Sequence, residues 1–283
     1  LCPLKQHICP STHIRFFVVR VRERDTSVSI LIDDGEEQMA QRFACLAAFI
    51  ALLILTACSP AKRQFLDSAG NPLPRTEDGK LLTESTRYWL TKVEEFRAAN
   101  PAHKPHGIVL LGDSLTERSP FALMSPELPL INRGIGGDKI GGWEYYGVLD
   151  RLDVSVAQLQ PRKVFLMIGI NDIVYAGTPP KSMRINYTRL VKEIREKAPE
   201  AEIYLYSILP ARNGFAQFNE KIRDFNEFIA SVAGRQDCYY VDLHSFFTDA
   251  DGILDEQWAS DAVHLNEKGY KRWREIVLPY LYK

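Results

Sequence analysis

The sequence predicts an α/β fold built on a five-stranded parallel sheet, and three observations predict it. Five short apolar runs, at residues 108–111, 130–132, 164–168, 203–208 and 239–243, mostly lack polar alternation, as expected for strands covered on both faces. Stretches with helical spacing lie between and after them, near residues 143–159, 183–197, 218–232 and 267–281. Strands alternating with helices imply parallel pairing through right-handed crossovers. Composition agrees: 46% of the 283 residues are hydrophobic and 25% are charged, which excludes disorder, collagen-like repeats and coiled coil as the main character. The 35 basic and 36 acidic residues leave a net charge of −1, with no basic excess for a nucleic-acid partner.

Taken in order, residues 1–38 have no clear period and begin at Leu1, which is not a start residue; they read as upstream sequence translated from a start placed too early. Met39 is followed by Arg42 and an unbroken apolar run from Phe43 to Leu55. Crossing a membrane takes about 20 residues, so the run is too short to span one. A charged start, a short apolar core and small residues at the end make residues 39–57 a signal peptide. The end, Leu55-Thr56-Ala57-Cys58, resembles the lipobox of bacterial lipoproteins, in which the chain is cut before the cysteine and the thiol is lipidated. That resemblance implies lipid on Cys58, a membrane partner through that lipid, and a place in the bacterial cell envelope facing the periplasm or the surface. The competing interpretation is a buried apolar helix followed by a chance cysteine. Cys2, Cys9 and Cys45 precede the cut, so only Cys58 and Cys238 remain and no disulfide framework is expected. Cys238 sits in the apolar run Cys238-Tyr239-Tyr240-Val241 and reads as core rather than as a nucleophile.

Residues 58–80, rich in Pro, Gly, Ser and charge, read as a tether. The domain proper is expected over 81–283. Residues 81–100 form a helix, with Tyr88, Trp89, Val93 and Phe96 on one face and Asn100-Pro101 ending it. From Gly107 the strand–helix alternation runs to the C-terminal helix. Ligands in parallel α/β sheets sit beyond the carboxyl ends of the strands. Polar motifs stand there: Gly112-Asp113-Ser114-Leu115-Thr116 after the first strand, Asn132-Arg133-Gly134-Ile135-Gly136-Gly137-Asp138 after the second, and Gly169-Ile170-Asn171-Asp172 after the third. Asp261-Ala262-Val263-His264 precedes the last helix. Each is weak alone; four in this order form a strong signal.

These motifs resemble those of the SGNH hydrolases, also called GDSL esterases, from Gly107 to the C-terminus. The family's Ser, Gly, Asn and His fall on Ser114, Gly137, Asn171 and His264, and its Asp three before the His on Asp261. The short Asn-x-Gly-Ile-Gly-Gly-Asp form looks closest to the branch holding platelet-activating-factor acetylhydrolase catalytic subunits and carbohydrate acetylesterases. Ala262 stands where a Gly often follows the Asp. The resemblance implies a flavodoxin-like three-layer α/β/α sandwich with strand order 2-1-3-4-5. It also implies a catalytic set of Ser114, Asp261 and His264 and an oxyanion hole from Ser114, Gly137 and Asn171.

The chemistry of those residue types agrees. A serine hydroxyl needs a base to become a nucleophile, and histidine serves near neutral pH. An Asp on the imidazole Nδ1–H fixes the tautomer and stabilises the imidazolium. Fixed N–H donors stabilise the tetrahedral oxyanion, and a glycine there presents no side chain to an arriving acyl group. Bland alternatives exist for each residue. Ser114-Leu115-Thr116-Glu117 fits a capping box, Asp113 suits a turn-amide acceptor, and Asn171-Asp172 suits a turn or cap. A cap, however, predicts neither the Asn motif nor Asp-x-x-His. Gly134-Ile135-Gly136 fails the dinucleotide pattern at Lys139, and Thr116 breaks the G-x-S-x-G elbow. His244 has Val241 three positions before it and reads as a loop or core histidine. His103 and His106 lack further zinc partners, and Asp249, Asp251 and Asp255 match a calcium loop only loosely. No metal and no cofactor are expected.

The expected function is therefore hydrolysis of short acyl esters, O-acetyl first, on a small ester or an acylated carbohydrate, through an acyl-serine intermediate. A lysophospholipase or thioesterase of the same fold is an alternative, as is a surface-binding lipoprotein with a dead esterase fold. The oligomeric state is left open.

Overall fold

Five strands form one sheet in the order β2-β1-β3-β4-β5, with every neighbouring pair parallel. They are β1 (Ile108–Gly112), β2 (Leu130–Gly134), β3 (Lys163–Met167), β4 (Glu202–Tyr206) and β5 (Tyr239–Val241). The helices are α1 (Glu84–Ala99), α2 (Ser114–Glu117), α3 (Phe121–Met124), α4 (Leu152–Ser155), α5 (Pro180–Lys197), α6 (Asn219–Arg235), α7 (His244–Phe247) and α8 (Glu267–Tyr282). The structure, a computed structural model, describes residues 75–142 and 145–283. The expectations for residues 1–38, the signal peptide at 39–57, Cys58 and the tether up to residue 74 lie outside the described residues.

The central strands β1 and β3 are buried along their whole length, which is why their sequences are continuous apolar runs. Alternate side chains serve opposite layers. Val109, Leu111, Val164, Leu166, Ile203 and Leu205 pack with Leu190 and Ile194 of α5 and Ile229 of α6. Ile108, Leu110, Phe165, Met167 and Tyr206 pack with Trp273 and Val277 of α8 on the other face. The result is the three-layer α/β/α sandwich with the expected strand order. Helix α1 starts where Thr83 Oγ1 accepts the Thr86 amide, and it buries Trp89, Val93 and Phe96 against Ile135 and Val154.

Several boundaries differ from the sequence expectation for identifiable reasons. The run 203–208 leaves the sheet after Tyr206, because α6 takes over its backbone partners. Asn226 accepts from the Ile208 amide and donates to its carbonyl, at 2.7 and 2.9 Å. Asn219 does the same for Ala211, at 2.8 and 2.8 Å. The run 239–243 stops at Val241, since the Leu243 and His244 amides both donate to Ser207 Oγ.

The helix expected over 143–159 is not a helix. Among the described residues it comprises a 3-10 turn (Val148–Arg151), the single turn α4 and a second 3-10 turn (Ala157–Leu159). Val154 and Val156 are both buried, yet two residues apart they would lie on opposite sides of a helix. The break also carries Arg151 into the interior, as described below. Residues 75–80, read as tether, form a turn closed by Thr76 N–H to Lys80 O and anchored by Lys80 Nζ on Asp150 at 3.2 Å.

Candidate active site

The carboxyl ends of β1, β2 and β3 converge, and the three loops leaving them build one cleft. Its walls include Ser114, Glu117, Gly136, Gly137, Asn171 and His264. Ser114 opens α2 directly after β1. Asp113, not Ser114, caps this helix: its Oδ1 accepts the Leu115 amide at 3.0 Å. The S-x-x-E capping box weighed as the bland alternative is therefore absent, and the serine hydroxyl is left for other work. It donates to His264 Nε2 at 2.8 Å. His264 Nδ1–H donates to Asp261 Oδ2 at 2.7 Å. The three-residue spacing lets Asp261 turn back on the ring, and its other oxygen accepts the Val263 and His264 amides at 2.9 and 2.8 Å. Partial burial works against ionisation of Asp261, but those two amides and the imidazole outweigh it and hold the carboxyl below its ordinary value. Ser114, His264 and Asp261, separated by up to 150 positions, form one proton relay.

Gly137 stands on the loop after β2 with φ of +75°, and a Cβ there would meet nothing within 4 Å, so its backbone faces open cleft. The loop can lie this close to the serine because a Cβ on Gly134 would fall 2.1 Å from the Glu117 amide nitrogen; no larger residue permits that approach. Asn171 and Asp172, after β3, clamp the same loop from the far side. Asn171 Nδ2 donates to Asp138 O at 2.8 Å, and Asp172 Oδ2 accepts the Ile140 amide at 3.1 Å. One N–H of the Asn171 amide is used there and the second is left over.

Beneath the loop, Asp138 forms an ion pair with Arg151, 2.7 Å apart, with neither side chain exposed. Arg151 also donates to Gly112 O at the end of β1 and to Ser155 Oγ, while Trp89 Nε1 donates to Asp138 Oδ1. Burial pushes the carboxyls of Asp113 and Asp172 up to about 7.

The remaining candidates stand elsewhere. His244, at the start of α7, contacts Thr248 Oγ1 at 3.2 Å and does not line the cleft. The Asp249 carboxylate accepts the amides of Asp251 and Ile253 within its own turn. Among the described residues no group of three or more His, Cys, Asp or Glu is placed to hold a metal ion.

With this geometry in place, a family model decides the assignment: the GDSL-like lipase/acylhydrolase family matches residues 110–272. The chain belongs to that family. Carboxylic ester hydrolysis is accordingly the acylhydrolase's class of reaction. Human platelet-activating factor acetylhydrolase IB subunit alpha1 is 28% identical over 189 residues, covering 64% of this chain and 78% of that one. A Streptococcus pneumonia protein solved under the name platelet activating factor superposes with a TM-score of 0.62 at 28% identity, covering 69% of the acylhydrolase and 94% of that chain. An acetylxylan esterase from Geobacillus stearothermophilus shares the fold, with a TM-score of 0.51 at 18% identity over 63% of the acylhydrolase and 95% of that chain.

Four residues of the site were given no site role by the sequence interpretation: Glu117, Asn132, Asp138 and Arg151. Asn132 donates to Thr116 O at 2.7 Å and accepts the Gly134 amide at 2.8 Å, so it ties α2 to the loop after β2. Its signal was its place at the head of the motif that runs from Asn132 to Asp138. Arg151 lay hidden inside a stretch that read as an exposed-and-buried helix.

Proposed function

We propose that the acylhydrolase is a serine esterase of short acyl groups, with Ser114 as nucleophile, His264 as general acid–base and Asp261 as its orienting partner. The observation that carries this is the unbroken relay, 2.8 Å from Ser114 to His264 and 2.7 Å from His264 to Asp261. Ser114 Oγ adds to the ester carbonyl carbon while its proton passes to His264 Nε2. The oxyanion accepts from the backbone N–H groups of Ser114 and Gly137 and from the spare N–H of Asn171. The intermediate collapses with cleavage of the bond to the alcohol oxygen, which leaves with the proton from Nε2. Water, giving its proton to the same nitrogen, then adds to the acyl-serine; collapse releases the acid and returns the proton to Ser114. An intact relay speaks against a dead esterase fold.

The acyl group is acetyl and the alcohol a carbohydrate. Among the described residues the aliphatic lining beside Ser114 is Leu115, Ile170 and Val263, with the rings of Tyr88 and Tyr175, amid polar Glu117, Arg118 and Asn171, which suits a short acyl chain rather than a lipid tail. The cleft continues past Gly136 and Gly137 into a second hollow, lined by Tyr145, Tyr146, Tyr175 and Lys139. Tyr175 offers an exposed ring with a polar tip that suits a sugar, while Tyr146 is stacked on Trp89 and Lys139 lies over the Tyr145 ring. The names of the human and Geobacillus relatives also share an acetyl ester between them. The test is a panel of p-nitrophenyl esters of rising chain length, then acetylated xylan, each with Ser114→Ala as control. Turnover is expected to peak at acetyl and vanish in the variant. A peak at long chains would overturn the acetyl assignment, and an active variant would overturn the nucleophile.

We also propose that Cys58 carries lipid and holds the enzyme in the bacterial cell envelope, on the support of Leu55-Thr56-Ala57-Cys58. Metabolic labelling with a fatty acid is expected to mark the chain and not Cys58→Ser; equal labelling would remove the anchor. One chain binds membranes only marginally, so stable attachment requires more than one.

A further inference from the structure

Glu117 lies three residues after the nucleophile, on the same single turn of helix, yet its side chain does not reach back to the helix start. It crosses to the loop after β2, where Oε2 accepts the Gly136 amide at 2.9 Å. Its other oxygen accepts the Tyr88 hydroxyl of α1 at 2.5 Å, and Lys92 Nζ stands 3.8 Å from that oxygen. The next N–H along the loop is that of Gly137. We propose that Glu117 is a positioning residue, which fixes the Ile135–Gly136 peptide, one before the peptide that carries the Gly137 N–H, so that the Gly137 N–H points at the oxyanion formed on Ser114. This rests on the oxyanion role proposed above for Gly137.

Three features support a positioning role over a merely structural one. Gly137 has no side chain and lies in a region of φ that is open to glycine; Lys139 Nζ holds its carbonyl at 3.2 Å, but that bond does not fix the peptide plane that carries its own N–H. The peptide must be held by its neighbour, and Gly136 has no side chain either. A carboxylate beside a developing oxyanion is also a poor choice unless its charge is consumed elsewhere. Here the Gly136 amide, the Tyr88 hydroxyl and nearby Lys92 all draw on it. The carboxylate in turn, ahead of burial, pushes the Tyr88 hydroxyl up to about 12, which keeps its proton in place as a donor at neutral pH. Finally, Asn132 Nδ2 donates to the Glu117 carbonyl at 3.2 Å and to that of Thr116, so the turn that carries both Ser114 and Glu117 is fixed to the strand from which the loop departs. Nucleophile and oxyanion donor are thereby referenced to one short element.

The experiment measures kcat, KM and Tm for Glu117→Ala, Glu117→Gln and Tyr88→Phe on p-nitrophenyl acetate, beside wild type and Ser114→Ala. Removing an oxyanion donor outright costs about 100- to 1,000-fold in comparable sites, so loosening one is expected to cost about 10- to 100-fold in kcat in Glu117→Ala, with KM within about threefold. Glu117→Gln keeps an oxygen for Gly136 and an amide for Tyr88, and is expected to recover most of kcat. Tyr88→Phe, which leaves Glu117 held at one end, is expected to fall between. Wild-type kcat in Glu117→Ala would overturn the proposal, as would a Gln variant as slow as the Ala variant, since that would assign the effect to charge. Should Glu117→Ala fail to fold, unchanged kcat in Tyr88→Phe together with a slow Gln variant overturns it. An active Ser114→Ala would instead remove the mechanism beneath it, an outcome distinct from an inert Ser114→Ala beside a fully active Glu117→Ala.

Discussion

The proposed mechanism gives Asn171 two tasks on one amide group, and they can be separated. One N–H holds the Asp138 carbonyl at 2.8 Å, which is a structural bond. The other is proposed for the oxyanion, which forms only once Ser114 adds to the carbonyl and is absent from the bound ground state. Asn171→Ala is therefore expected to lower kcat by about 100- to 1,000-fold while KM changes little, because the donor acts after ground-state binding. Loss of the bond to Asp138 adds a stability cost of about 1 kcal/mol, typical of a single neutral hydrogen bond. Measuring kcat, KM and Tm together decides the matter: a lowered Tm with normal kcat would leave Asn171 as a clamp only. Asp113 beside it shows the reverse division. It was expected to bond turn amides and does so at Leu115, which frees Ser114 from capping.

The elements show why part of the fold was readable and part was not. Apolar runs locate β1 and β3, since strands buried on both faces tolerate little else. The polar motifs after β1, β2 and β3 and before α8 locate Ser114, Gly137, Asn171 and His264, which the structure gathers around one cleft. The ends of β4 and β5 were not readable, because Asn226, Asn219 and Ser207, remote in sequence, decide them through side-chain bonds to backbone. The segment 143–159 misled for a similar reason: its apolar residues are spaced for burial on several sides, and its Arg151 belongs to the interior. The ion pair with Asp138 gives this broken segment its purpose, because Asp138 supports the loop that Asn171 grips. Arg151→Met keeps bulk but leaves the Asp138 carboxylate buried and unpaired. Breaking such a pair costs about 3–5 kcal/mol, or roughly 6–20 °C in Tm for a chain of this size. Thermal unfolding of the variant measures it, and a fall below about 2 °C would show that Asp138 is neutralised by protonation instead. The double variant with Asp138→Asn is expected to recover part of the loss, because the stranded charge is gone.

Around the site as a unit, acidic groups accumulate where the strands end: Asp113, Asp138 and Asp172 are all buried within one region of a protein of net charge −1. Among the described residues, only Asp138 of the three has a buried cation beside it. Burial, the largest influence, raises the carboxyl of Asp113 from an ordinary 3.8 to about 7, against the pull of the Leu115 amide and with the help of Asp138 and Asp172. The consequence for stability follows from proton counting. Between about pH 4 and pH 7 the unfolded chain releases this proton while the folded chain keeps it, so folding loses stability as pH rises through that window and levels off above it. Asp113→Asn keeps an oxygen for the Leu115 amide and cannot ionise. It is therefore expected to gain on wild type as pH rises from 5 to 8, by more than about 1 kcal/mol, or roughly 2–4 °C in Tm. The comparison between the two proteins cancels titrating groups that do not interact with Asp113, such as Asp261, whose lowered carboxyl acts with opposite sign; Asp138 and Asp172, which do interact with it, are relieved in the variant and add to the same trend. Tm measured for both proteins across that range gives the result directly. A difference that stays flat from pH 5 to 8 would mean that Asp113 is already ionised in the folded enzyme, and that the pocket beneath Ser114 is far more polar than its burial indicates.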